Sequence, residues 1–258
     1  MPPLRALVTF AAGLLAACAG PSRTQPAVPA ELQAYQDRFV KAVDTPFGNV
    51  LGRPQVLQQI RGARVLWLGD THNSSRLHAL QSELLRDLRE AGIQFTLVLE
   101  CIGTEDQATV QKYLSGASEL QDLRRAVRAR WDGSWLDDPD LDPFFYRSLL
   151  QTAKRTQTPV FALEPTPRRP LPERDAAMPE VVRAVAAAHP ERLVVVLVGQ
   201  AHLVGGGDVV RSTGLPSVVV GGEAPLSLRR RVADEVDQDA FLPAGGLLWF
   251  GPVCRRPS

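Results

Sequence analysis

Apolar runs and amphipathic stretches alternate along most of this chain. Residues 64–68 (RVLWL), 95–99 (FTLVL), 160–163 (VFAL) and 193–198 (LVVVLV) have the length and β-branched or aromatic content of buried strands. Residues 216–220 (PSVVV) and 247–250 (LLWF) read as two later ones. Between the first two strands, Leu77, Leu80, Leu84, Leu85 and Leu88 fall on one face of a helix predicted over 73–91, with Gly92 placed to end it. Further helices are expected at 104–130, split near Ser115-Gly116, at 142–156 and at 178–189, and the proline-rich stretch Pro165 to Pro172 reads as the longest loop. Strands that lack polar alternation are buried on both faces. The pattern therefore predicts an α/β fold, a mostly parallel central sheet with helices on both faces.

The first thirty residues follow a different grammar. A single positive charge at Arg5 precedes an apolar stretch from Ala6 to Leu15, which is too short to span a bilayer but suits a signal-peptide core. Leu15-Ala16-Ala17-Cys18 then resembles a bacterial lipobox, in which the cysteine is acylated and becomes the mature N-terminus. Residues 1–17 are accordingly expected to be a lipoprotein signal peptide, 18–30 a Pro- and Ala-rich tether, and 31–258 the folded α/β domain. The expected location is the cell envelope, held to a lipid bilayer by acylated Cys18. Ala19, where retention at the inner membrane usually shows Asp, favours the outer membrane, with the domain facing the periplasm.

Composition changes this picture little. With 258 residues, 45% hydrophobic, and a formal net charge of +1, the chain is long enough for a full core and carries no global field to recruit nucleic acid, which is not expected as a partner. Three cysteines without a CxxC pair give neither a zinc knuckle nor a disulfide framework. Cys101 and Cys254 are read as unpaired, the former partly buried.

Candidate chemistry gathers where strands end. In open parallel sheets, sites lie beyond the carboxyl ends of the strands. Here the first strand runs into Gly69-Asp70-Thr71-His72, the second into Glu100, the third into Glu164 and the fourth into Gly199-Gln200-Ala201-His202. If the four strands are parallel neighbours, two imidazoles and two or three carboxylates meet at one edge. Those types suit a divalent metal ion, with His72, Glu100 and His202 as ligands, or general acid–base catalysis by His72, Glu100, His202, Asp70 and Glu164. By helical phase His78 lies off the leucine stripe and reads as a surface residue, and His189 reads as a helix-end cation. Ser74 and Ser75 read as helix-start residues rather than nucleophiles.

The order of these motifs resembles the ChaN-like family of haem-binding uptake lipoproteins, within a group that includes the Tiki/TraB proteins and is related to erythromycin-esterase-like proteins. The resemblance rests on GDTH at 69–72, on His78 and Gln81 in NSSRLHALQSELL, on LVLE ending at Glu100, on Arg174 to Met178, on VVVLVGQAH ending at His202, and on Tyr146 in DPFFYRSLL. It spans residues 60 to 222. Asp70 departs from it, standing where the family usually has Glu, one methylene longer. The resemblance implies haem or iron handling in the envelope, with haem as cofactor, a homodimer, and an outer-membrane haem receptor as partner. Tyr146, Tyr113 and His78 are then candidates to meet the haem, and Arg168, Arg169 or Arg174 to meet its propionates. The Tiki side of the resemblance implies a different class: a metal-dependent hydrolase, protease or esterase, using the Gly-x-x-His and acidic positions.

Overall fold

The computed structural model describes residues 30–45, 48–130, 134–165, 169–204, 208–225, 227–228 and 240–251. Along the chain run α1 (Ala30–Asp44), β1 (Leu51–Gly52), α2 (Arg53–Arg61), β2 (Val65–Asp70), α3 (Ser75–Glu90), β3 (Phe95–Gly103), α4 (Gln107–Leu114), α5 (Leu120–Arg130) and α6 (Pro143–Thr156). After these come β4 (Val160–Glu164), α7 (Leu171–Ala188), β5 (Leu193–Gly199), α8 (Ala201–Val204), α9 (Asp208–Ser212), β6 (Ser217–Glu223), β7 (Ala240–Ala244) and β8 (Leu247–Gly251).

The strands form one eight-stranded sheet in the order β1-β7-β8-β6-β2-β5-β3-β4. All neighbours from β8 to β4 are parallel, whereas β7 runs antiparallel to both β8 and β1. The expected parallel sheet with helices on both faces is therefore present. Every residue of β5 is buried, and successive residues serve opposite faces. Val195 and Leu197 join Leu66, Leu68, Leu97 and Leu99 beneath α2 to α6, while Val194, Val196 and Val198 join Val65, Trp67 and Val98 against α7 and α9. A third cluster seats Phe39 and Val43 of α1 on Leu242 and Trp249 of the antiparallel end.

Three departures from the sequence reading shape the site. β3 does not stop at Glu100 but continues to Gly103, with a register irregularity against β4 after Leu99. Helix α7 begins at Leu171, inside the stretch read as loop, because Pro170 and Pro172 suit a helix start, where an absent N–H costs nothing. The N-terminal α1, α2 and the antiparallel β7 leave no clear mark in the pattern. Cys101 is fully buried rather than partly so, and burial pushes its thiol pKa up. Cys18, Cys254, Arg168 and most of the tether lie outside the described residues. Among the described residues no helix is long and apolar enough to cross a membrane.

Candidate functional site

β2, β5, β3 and β4 are adjacent and parallel, so their carboxyl ends bring the predicted residues to one edge. Two glycines make the approach possible. A Cβ on Gly69 would stand 2.5 Å from the Gly221 carbonyl of β6, and one on Gly199 would stand 3.2 Å from both Glu100 Oε2 and the His72 ring. Glu100 and His72 thus both crowd the space over Gly199.

Asp70 organises the first group. Its side chain is almost wholly buried, with Oδ1 2.9 Å from His78 Nε2 and Oδ2 3.1 Å from His72 Nδ1, and Tyr146 donates its hydroxyl to Oδ2 at 2.6 Å. His78 Nδ1 lies 2.8 Å from Asp142 Oδ2, and its ring stacks on Phe145 at 4.0 Å. An imidazole between two carboxylates must donate from both nitrogens, and so carries a proton at each. Burial opposes that charge, but hydrogen bonding to Asp70 and then Asp142 outweighs it and raises the His78 pKa. Burial likewise opposes ionisation of Asp70, and His72 and His78 overcome it, holding the carboxyl below its usual range. His78 is therefore a buried strut and not the surface residue that helical phase suggested; Gln81, one turn on, donates to the Gly69 carbonyl at 2.9 Å.

Glu100 organises the second group. Arg174 bridges it to Glu164: one guanidinium nitrogen donates to Glu100 Oε1 and, at 2.6 Å, to Glu164 Oε2. Gly199 N–H donates to Glu100 Oε2. His202 Nε2 lies 3.3 Å from Glu100 Oε1, and its Nδ1 meets Asp175. Burial would raise the Glu100 pKa, yet hydrogen bonding to His202 and the charges of His202, Arg174 and His72 drive it well below the carboxylate range. For His202, burial is outweighed by hydrogen bonds to Asp175 and Glu100, and its pKa is pushed up to about 9. Burial leaves Glu164 raised despite Arg174.

The predicted metal triad is not formed. Among the described residues no group of three or more His, Cys, Asp and Glu side chains is arranged to hold a metal ion. The reason is local: Arg174 supplies the positive charge at Glu100, and both His202 nitrogens are committed to carboxylates. Ion pairing engages Glu100 and Glu164 with Arg174, and so occupies the Arg174 guanidinium that a propionate would need; Arg169 is exposed. Tyr146 is fully buried with its hydroxyl committed to Asp70, and burial, then the Asp70 charge, raises its pKa strongly, so it does not face an incoming ligand. Tyr113 is buried on α4 beneath Lys154, whose Nζ sits 4.6 Å from the ring centroid, and takes no part in either network.

His72 stands apart from all of these. Its side chain is 33% exposed, the largest value among the ionisable side chains of the two networks, and Trp135 packs against its ring at 4.1 Å. Asp70 holds Nδ1, which leaves Nε2 as the reactive nitrogen. Ser74 caps α3 by accepting from the Leu77 N–H, as a helix-start residue should. Sequence reasoning missed Asp142, Asp175 and Trp135: a lone acid or Trp in a loop or helix gives no periodic signal, although Asp175 directly follows Arg174.

Residues 56–169 match the family model described as haem-binding uptake, Tiki superfamily, ChaN. No curated protein sequence matches the chain. Among solved structures, it is similar to ChaN of Campylobacter jejuni, described with cofacial haem binding, at 13% identity and TM-score 0.45, over 75% of this chain and 92% of that one. It is also similar to the type III effector HopBA1, at 18% identity and TM-score 0.45, over 69% and 86% of the two chains. The C-terminal region of Pasteurella multocida toxin, described with a thiol-protease-like catalytic triad, matches at 13% identity and TM-score 0.49, over 88% of this chain and 33% of the toxin chain. The matched segment, which carries Asp70, His72, His78, Glu100, Tyr146 and Glu164, is similar to the ChaN family of the Tiki superfamily.

Proposed function

We propose that this protein binds haem, with His72 Nε2 as an iron ligand. One observation carries the reading: within the two networks His72 alone keeps a nitrogen uncommitted to a carboxylate at a partly exposed position, while Asp70 fixes its other nitrogen. Histidines that ligate metal nearly always donate their second N–H to such a partner, which sets the tautomer and raises basicity. Trp135 and the exposed Phe144 supply apolar surface, and Arg147, over the Phe144 ring at 4.7 Å, is a cation for a propionate. The family description supports the ligand class. The reading extends to a Cys18-anchored lipoprotein of the outer membrane that faces the periplasm, handles iron there, works as a homodimer and exchanges haem with an outer-membrane receptor.

Haemin titration of the purified chain, followed in the Soret region, tests the core of this. A saturable band is expected, lost in His72→Ala and retained in Tyr146→Phe. Loss in Tyr146→Phe with retention in His72→Ala would overturn the assignment, and a featureless titration would sink haem binding. Labelling with a radioactive fatty acid, abolished by Cys18→Ser, tests the anchor.

A hydrolytic reading is favoured by a separate observation: Glu100 Oε2 and the His72 ring both border Gly199, each 3.2 Å from where a Cβ would stand. In it, His72, oriented by Asp70, takes a proton from water as general base. Arg174 and His202 serve only to keep Glu100 ionised. Turnover of ester or peptide substrates that disappears in His72→Gln supports it; a panel without turnover removes it.

A further inference from the structure

At the opposite end of the sheet, where β3 and β5 begin, a cavity of about 350 Å³ is lined by Arg89, Ile93, Gln94, Phe95, Thr158 and Arg192 among others, and by no acidic residue. That volume is in the range of small-molecule sites. Arg89 lies with its guanidinium carbon 5.2 Å from the Phe95 ring centroid, and its Nε is buried without a hydrogen-bond partner. The acids nearest in sequence are engaged elsewhere, Asp87 with Arg53 and Glu90 with Arg86. Burial, and then the charge of nearby Arg155, hold the Arg89 pKa below its ordinary value. Arg192 reaches the Phe95 carbonyl at 3.4 Å and pairs with exposed Glu191 at 3.3 Å. Thr156 and Thr158 face each other, hydroxyl to hydroxyl, at 2.8 Å on the rim.

A structural account of these arginines is that they neutralise helix ends, since α3 and α6 both finish here. A helix C-terminus carries only about half a negative charge. Two guanidinium groups, Arg89 and Arg192, line the cavity, Arg155 adds its charge nearby, and no carboxylate is in the lining. A buried guanidinium nitrogen without an acceptor is costly, and an oxyanion would satisfy it. We propose that this cavity binds a phosphate group, with Arg89 and Arg192 as its charged partners, independently of the His72 site. The phosphate has two sources, a free phosphate compound or the headgroup of an anionic phospholipid.

Calorimetric titration of the intact chain with inorganic phosphate, at constant ionic strength against chloride, is paired with co-sedimentation on phosphatidylglycerol or phosphatidylcholine vesicles. Saturable phosphate binding, weakened about tenfold or more in Arg89→Leu/Arg192→Gln, supports a free ligand. Binding to phosphatidylglycerol vesicles alone, lost in the same variant, supports a headgroup. No binding in either arm, or binding that the variant leaves unchanged, overturns the proposal. A native circular dichroism spectrum and melting temperature identify a folded variant; if the double substitution unfolds the chain, Arg192→Gln alone carries the test.

Discussion

Asp70 and Glu100 are both buried carboxylates at the carboxyl end of the sheet, separated by β5, and both are held ionised by imidazoles. Their surroundings differ in one respect. Around Glu100 the partners are themselves paired: Arg174 spans two glutamates, and His202 spans Glu100 and Asp175. Around Asp70, two partners are buried struts, Tyr146 and His78, but the third, His72, reaches solvent with one nitrogen unengaged. A closed charge network stabilises a geometry; an open one presents a reactive group. The Glu100 cluster is thus read as the scaffold, and the Asp70 cluster as the part that acts.

The comparison breaks most readily at Arg174. Arg174→Met leaves Glu100 and Glu164 buried without their cation, a change expected to cost about 3–5 kcal/mol. Urea unfolding measures it, and a loss under about 1 kcal/mol would mean that the cluster is not the scaffold. The pH dependence comes next. The folded pKa of His202, about 9, lies above its ordinary value of 6.5, so its contribution is complete below pH 6.5 and is lost as pH rises toward 9. At roughly 1.4 kcal/mol per pKa unit, this amounts to about 3 kcal/mol as an upper bound. Asp70 and Glu100 act in the other direction: their contributions hold above the unfolded carboxylate range near pH 4 and fade as pH falls below it. Melting temperatures across pH 6 to 10 should therefore fall in the native chain and flatten in His202→Gln.

Asp70→Asn sharpens the contrast at intermediate size. It is expected to cost about 1–3 kcal/mol in stability, and 10- to 100-fold in haem affinity because the His72 tautomer is no longer fixed. Equal affinity in wild type and variant would separate His72 from its supposed orienting partner. The smallest stability effect belongs to His72→Ala, under about 1 kcal/mol for a side chain one-third exposed, although the Soret band should vanish. A stabilising role for His72 as large as that of Arg174 would erase the distinction between the two clusters.

Much of the layout is legible in the sequence. Apolar runs marked β2, β3, β4 and β5, and polar residues directly after them marked the edge where Asp70, His72, Glu100, Glu164 and His202 converge. The roles within that edge could not be read. His78 looked exposed because phase reports the angle to the leucine stripe, whereas α6 crosses nearby and buries it with Asp142 and Phe145. Tyr146 looked like a ligand because a sequence does not reveal that its hydroxyl is already committed to Asp70. The metal triad failed for a related reason: the helix that delivers Arg174 and Asp175 starts within a proline-rich stretch that composition assigns to loop.

The sequence by itself determined the parallel strands, their sheet and the edge at which chemistry gathers, because hydrophobic burial follows local periodicity. Only the tertiary structure decided which of those groups are saturated and which is open. Hydrogen-bond partners such as Asp142 for His78, 64 residues apart, and Arg174 for Glu100, 74 apart, are fixed by how helices settle on the sheet. No local pattern encodes that choice, and it is what leaves His72 as the group that meets a ligand.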